Sequence, residues 1–329
     1  MRGSRTVRSI AGLPVAERIA RALARLVPRR RDTLAVLTAH RVAPPEGVVP
    51  GLLSATPDGF ARLLDVLAEQ FRVLPIEEIL ERQRGGARLP PRSLLLTFDD
   101  AYRDLETHAW PALAQRGLPA TAFVPSGFPG RPDRAFWWER AWAAIETTTR
   151  PALTLGDRTL PLASSSDRIA AYREVRGALK AGPHDDIEDR LGELEAELTD
   201  PGAPVGAPGG RSLDWATLRD LRAAGLALGS HTRTHPLLTR VGDPALVDEI
   251  SGGAEDLARE TGSDLAAFAY PSGAFDDRVV AAVRDAGIRI AFTTERGVND
   301  LRDGDWLRLT RINLSVATPP SLILAQAIR

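Results

Sequence analysis

Two adjacent carboxylates, Asp99 and Asp100, end the apolar run LLLTFDD at residues 94–100. Neighbouring carboxylates repel each other and resist dehydration. A buried-looking strand that ends in two of them needs a neutralising partner, and a metal ion is the expected one. A second cluster lies in GSHTRTH (229–235), where His231 and His235 are four positions apart. On a helical turn that spacing puts both imidazoles on one side. With a carboxylate from elsewhere they make three N/O ligands and leave a position for water, the pattern of a catalytic rather than a structural zinc-type site. Each cluster alone is weak evidence. One aspartate could cap the following helix, and two such histidines could lie on the surface near a helix start. Both clusters sit at the ends of expected strands, and together they are a stronger signal.

Composition narrows the chemistry further. The 329-residue chain has no cysteine, which excludes disulfides, thiolate metal sites and a cysteine nucleophile. The imidazole ligands must come from His40, His108, His184, His231 and His235. A net charge of -1 supplies no whole-protein field for nucleic acid. Ser230 adjoins His231 but has no nucleophile-elbow context, and the glycines of GGAR and APGG fit no phosphate loop.

These residues are positioned by an α/β rhythm. TLAVLTAH (33–40) and SLLLTF (93–98) read as buried strands, and PATAFVP (119–125) as another. Residues 56–71 carry a helix start, with Thr56 as cap and Pro57 in the first turn. Residues 102–117 read as a helix closed by Gly117. After residue 211 the rhythm resumes through LALGSH, LAAFAYP and IRIAFTT. Six or seven such units predict a closed or nearly closed parallel barrel, with an open doubly wound sheet as the alternative. In both, functional residues gather where strands end and loops begin, and His40, Asp99, Asp100 and His231 all lie there. Residues 130–210 break the pattern with FWWERAWAAIE, a hairpin-like LTLGDRTLPL, charged helical segments and a Pro/Gly-rich loop. With its thin apolar content, this stretch reads as a mainly helical insertion covering one side of the barrel rather than a free-standing domain. Residues 1–32 form a basic segment broken by Pro14 and Pro28. It lacks the apolar core of a signal peptide. Residues 15–27 could form an amphipathic helix able to touch an anionic membrane surface, although so short a helix is expected to be solvated and frayed.

The motifs resemble those of the polysaccharide deacetylases of carbohydrate esterase family four, the NodB-homology domain. TFDDAYRD is similar to the family's first motif, SHTRTH matches its second, H(S/T)xxH, and FAYPSG (268–273) is similar to its third in a variant form. The resemblance spans roughly residues 33–315 and extends to bacterial exopolysaccharide-type enzymes in particular. It implies a distorted parallel (β/α)7-type barrel over residues 33–329, interrupted by the insertion. It implies a divalent metal ion, zinc, on Asp100, His231 and His235. Asp99 is then the general base, and the backbone N–H at Ser272 helps stabilise the oxyanion. The substrate is an acetylated glycan of the GlcNAc type, and the products are an amine and acetate.

Three departures accompany the resemblance. No histidine follows His235, so the usual C-terminal general acid is missing. His40 in TAHRV matches the N-terminal histidine that some poly-N-acetylglucosamine deacetylases use instead. The usual glycine after the aspartate pair is Ala101, which is costly if its φ is positive. The third motif's base-orienting arginine is replaced by Ala269, and Arg311 or Arg103 is the expected substitute. His108 is expected to be structural and His184 solvated. Trp138 and Tyr270, with Trp137 and Trp215 behind them, are the aromatic candidates for a sugar platform. The competing functions are a same-fold amidase acting on another C–N bond and a non-catalytic carbohydrate-binding relative. The expected location is the cytoplasm, with contact at the inner membrane surface left open.

Overall fold

The computed structural model describes residues 31–184, 186–199 and 212–328. The helix expected within the basic N-terminal segment and most of the Pro/Gly-rich stretch lie outside the described residues.

The first strands are β1 (Thr33–Ala39), β2 (Arg41–Val42) and β3 (Leu53–Ala55), followed by α1 (Pro57–Gln70). Thr56 caps α1, its Oγ1 accepting from the Gly59 N–H at 3.2 Å. The chain continues through β4 (Arg72–Val73), α2 (Ile76–Gln83) and β5 (Ser93–Asp99). A π-turn at Leu105–Ala109 leads into α3 (Trp110–Ala114), and β6 (Thr121–Val124) follows. The insertion contributes α4 (Trp137–Thr147), the hairpin β7 (Ala152–Leu155) and β8 (Arg158–Pro161), α5 (Ser165–Ala181) and α6 (Ile187–Leu198). The barrel resumes with α7 (Trp215–Ala223), β9 (Ala227–Ser230), α8 (Asp243–Val247), α9 (Gly253–Thr261) and β10 (Ala267–Ala269). It ends with α10 (Asp277–Asp285), β11 (Ile290–Phe292), β12 (Asn299–Asp300), β13 (Ile312–Asn313) and α11 (Pro320–Ala327).

The sheet runs β11-β10-β9-β6-β5-β1, all parallel, with β12 antiparallel on β1. The stretch 306–314 bridges its two ends. On one side the Ala291 N–H donates to the Trp306 carbonyl and the Thr293 N–H to the Leu309 carbonyl, both at 2.8 Å. On the other, β13 pairs with β1 and the Leu314 N–H donates to the Thr38 carbonyl at 2.8 Å. The curl is therefore completed by a seventh stave shared between β11 and β1, which gives the expected (β/α)7-type barrel.

Period-two alternation divides each stave between two cores. Leu34 and Val36 of β1 and Leu95 of β5 meet Phe123 and Phe292 inside the barrel. Leu37, Leu94, Leu96 and Phe98 face outward against Phe60, Leu63, Leu64 and Leu67 of α1. The insertion has a core of its own, contrary to its expected thin apolar content. Trp137, Trp138, Trp142, Leu153, Leu160, Tyr172, Val175, Leu191 and Leu194 form one buried cluster with barrel residues Val49 and Tyr102. Its apolar residues are spread over two strands and three helices, so no single stretch of sequence looks rich in them. Among the described residues, no helix is long and apolar enough to cross a membrane.

Candidate active site

Alternation along β5 carries Leu95, Thr97 and Asp99 on the interior face, so Asp99 points into the mouth of the barrel. Strict alternation would send Asp100 outward. Instead Asp100 takes φ 70° and Ala101 φ 48°, both left-handed. This turn brings two consecutive carboxylates into one cavity, where both are buried. Ala101 thus occupies the conformation that favours glycine, the costly case.

Arg311, 1% exposed, reaches Asp99. Its Nη1 and Nη2 donate to Asp99 Oδ1 and Oδ2, each at 2.8 Å. The fork is held by its Nε donating to the Thr293 carbonyl at 2.8 Å and its Nη1 to Thr38 Oγ1 at 3.0 Å. Arg103, the other expected substitute, is exposed and makes no bond to Asp99. Burial pushes the Asp99 carboxyl up, but the Arg311 guanidinium and the neighbouring imidazoles outweigh it and hold the group well below the usual carboxylate range. His40, at the end of β1, brings Nε2 to 4.0 Å from Asp99 Oδ2 and keeps 29% of its side chain exposed. Its backbone N–H is fixed by Ser54 Oγ at 2.8 Å.

Asp100 Oδ1 lies 3.5 Å from His231 Nε2 and 3.4 Å from His235 Nε2. The two imidazoles do not sit on a helical turn, as their spacing suggested. Residues 231–235 form a bend with Thr232 at φ 68° and His235 at φ 60°. The bend is pinned from outside: the Arg233 and Thr234 N–H groups both donate to Glu249 Oε2 at 2.9 Å. From below, a Cβ added at Gly253 would lie 2.6 Å from the Thr232 carbonyl carbon. Only glycine lets α9 approach the bend this closely.

The donor set fits a divalent ion. Tetrahedral bonds of the usual length place neighbouring ligand atoms about 3.4 Å apart, close to both Asp100–imidazole separations. The ligand atoms all lie within 4.8 Å of one another. Asp100 Oδ1 is buried without an aligned hydrogen bond, a costly state that a cation would relieve. His231 Nδ1 lies 2.6 Å from the Ala269 carbonyl. A carbonyl only accepts, so Nδ1 carries the proton and Nε2 presents its lone pair. Burial pushes His235 down to about 3, which keeps its imidazole neutral and able to ligate.

The aromatic candidates fare differently. Tyr270 is fully buried among Phe268, Val279 and Ile288, and its hydroxyl donates to the Leu307 carbonyl at 2.9 Å. It offers no face to a sugar, which corrects the expectation; the strand end that seemed to expose it instead turns it into the core behind β10. Trp138 is 7% exposed, stacks on Phe136 and meets His235 edge-on at 4.6 Å, so it walls the site rather than forming an open platform. Ser272 lies on the rim at φ 55°. His184, expected in solvent, is half-buried in the insertion. Lys180 of α5, which sequence reasoning missed, donates to Ser272 Oγ at 3.0 Å. No local signal distinguishes it from the other charges of its helix.

Comparison with known proteins agrees with this fold. The family model for polysaccharide deacetylases matches residues 86–291, more than half of the chain. No curated protein sequence matches it. Among solved structures, the Streptococcus pyogenes deacetylase PplD, in complex with acetate, is 18% identical with a TM-score of 0.59, covering 91% of this chain and 99% of that one. IcaB from Ammonifex degensii is 20% identical with a TM-score of 0.59 over 91% and 98%. The BpsB deacetylase domain from Bordetella bronchiseptica is 18% identical with a TM-score of 0.52 over 87% and 98%. At these identities the structural likeness establishes the fold.

Proposed function

The chain belongs to the polysaccharide deacetylase family, and from that premise we propose that it is a metal-dependent hydrolase removing N-acetyl groups from a GlcNAc-containing glycan of the exopolysaccharide type. The observation that carries the metal dependence is the buried set Asp100, His231 and His235, with an Asp100 oxygen left without a hydrogen bond. Zinc suits these three N/O ligands. When bound there, such an ion supplies Lewis acidity, polarising the acetamide carbonyl and acidifying the attacking water.

The chain's own residues do the rest. Asp99, ionised and clamped by Arg311, orients the water and takes one of its protons as oxygen adds to the carbonyl carbon. The carbonyl π pair moves onto oxygen, toward the Ser272 N–H. When that pair returns, the C–N bond breaks with its electrons on nitrogen, and His40 supplies the proton the amine needs. The acetic acid formed gives up its proton to solvent and leaves as acetate. His40 Nε2 lies 4.0 Å from Asp99 Oδ2, near enough for the proton acceptor and donor to serve the same tetrahedral carbon.

The test is acetate release from acetylated glucosamine oligomers by zinc-loaded protein. Release that requires the ion and collapses in Asp99→Asn and Asp100→Asn is the expected result. Stoichiometric zinc without release would move the assignment to a different amide or to a binding role.

A further inference from the structure

The insertion does more than cover the barrel. Its helix α5 ends beside the metal set, and Lys180 in the last turn sends its ammonium across to Ser272 Oγ at 3.0 Å. Ser272 is on the loop directly after β10, whose Ala269 carbonyl fixes His231. Among the described residues Lys180 has no carboxylate within ion-pair distance. The charges that act on it are Arg176, one turn earlier, and the site residue Asp100. Burial and Arg176 both push its ammonium down from the ordinary lysine range, with Asp100 opposing. An ammonium carries three donors, and the serine uses one. A half-buried cation without an anionic partner, crowded by a second cation, is stabilised by an anion that arrives beside it.

We propose that Lys180 is an anion-binding residue of this site, contributed by the insertion, that meets the negative charge on the acetamide oxygen during attack and then the carboxylate of the departing acetate. The inference rests on the deacetylase reading of Asp99, Asp100, His231 and His235. Charge appears on that oxygen only as the C=O π pair moves onto it. Lys180 therefore stabilises the transition state more than the neutral substrate, an effect that falls on kcat rather than KM. Ser272 Oγ holds the ammonium beside the residue whose N–H the proposed reaction places at the oxyanion.

The experiment uses the zinc-loaded full chain with Lys180→Met and Lys180→Arg, and acetate as the probe. Calorimetry should show acetate binding at least 10-fold weaker in Lys180→Met and within about threefold of wild type in Lys180→Arg. Loss of one oxyanion donor typically lowers kcat by about 10²-fold or more, and that fall is expected in Lys180→Met with KM, zinc content and melting temperature nearly unchanged. Unchanged acetate affinity and kcat would overturn the proposal. So would a lower melting temperature and raised KM at constant kcat, which would make Lys180 a fastener between the insertion and the loop. If wild-type protein released no acetate from glucosamine oligomers, the proposed function would fall, and the titration would still decide Lys180. Acetate affinity that depends on Lys180 would support the anion site, and affinity independent of it would overturn it.

Discussion

Replacing Arg311 by methionine should expose how the Asp99 carboxylate is kept ionised at 3% exposure. The substitution keeps an unbranched apolar stem and deletes both hydrogen bonds to Asp99 and those to the Thr293 carbonyl and Thr38 Oγ1. Removing one partner of a buried ion pair costs about 3–5 kcal/mol, because the other charge stays buried and uncompensated. Asp99 can relieve that penalty only by taking up a proton. At about 1.4 kcal/mol per pH unit, the acid limb of kcat/KM should climb by about 2–4 units. The stability profile flattens with it. In the wild type the folded carboxyl binds its proton more weakly than the unfolded one, so the contribution of the pair is present above about pH 4 and is lost as pH falls further. In Arg311→Met the same rise of about 2–4 units brings the folded carboxyl back to about the strength of the unfolded one, so the loss of stability below about pH 4 should largely disappear. Urea denaturation below about pH 4 and near neutral pH, together with pH–rate profiles, measures both effects. The double variant Asp99→Asn/Arg311→Met should recover much of the lost stability, since it buries no unpaired charge. A loss below about 1 kcal/mol with an unmoved acid limb would refute the clamp.

Further outcomes follow from other parts of the site. His40→Ala should lower kcat by about 10²-fold or more with zinc content unchanged, and full activity would remove His40 as proton donor. Ala101→Gly relieves a left-handed alanine worth about 1–2 kcal/mol and gives up a buried methyl worth about 0.8 kcal/mol. Chemical denaturation should therefore show a gain of up to about 1 kcal/mol, and destabilisation would contradict the strain. Gly253→Ala should displace the bend carrying His231 and His235 and weaken zinc binding at least 10-fold, read by competition with a chromophoric chelator. Zinc at about 100 times its Kd should raise unfolding stability by about 2.7 kcal/mol, and Asp100→Asn should abolish most of that increment.

Much of the site was legible because its residues lie at strand ends, where short sequence signals persist. The Asp99-Asp100 pair, the two histidines and His40 needed only a strand-end reading and a list of five imidazoles. The backbone that makes them converge was not legible. Alternation places Asp99 and Asp100 on opposite faces, and only two successive left-handed residues bring them together. The i, i+4 spacing suggested a helical turn at 231–235, whereas a bend held by Glu249 and a close glycine forms the arrangement.

The sequence by itself determined the kinds of chemistry available: no thiolates, few imidazoles, and carboxylates where apolar strands stop. It also determined the alternating rhythm that becomes the barrel, because side-chain periodicity is a local property. Tertiary structure decided which distant groups complete the site. Arg311 is 212 positions from Asp99, and Lys180 is 92 positions from Ser272. It also decided that Tyr270 turns inward while Ser272 stays at the rim. Such pairings depend on barrel closure and on how the insertion packs, and long-range proximity of that kind leaves no periodicity along the chain.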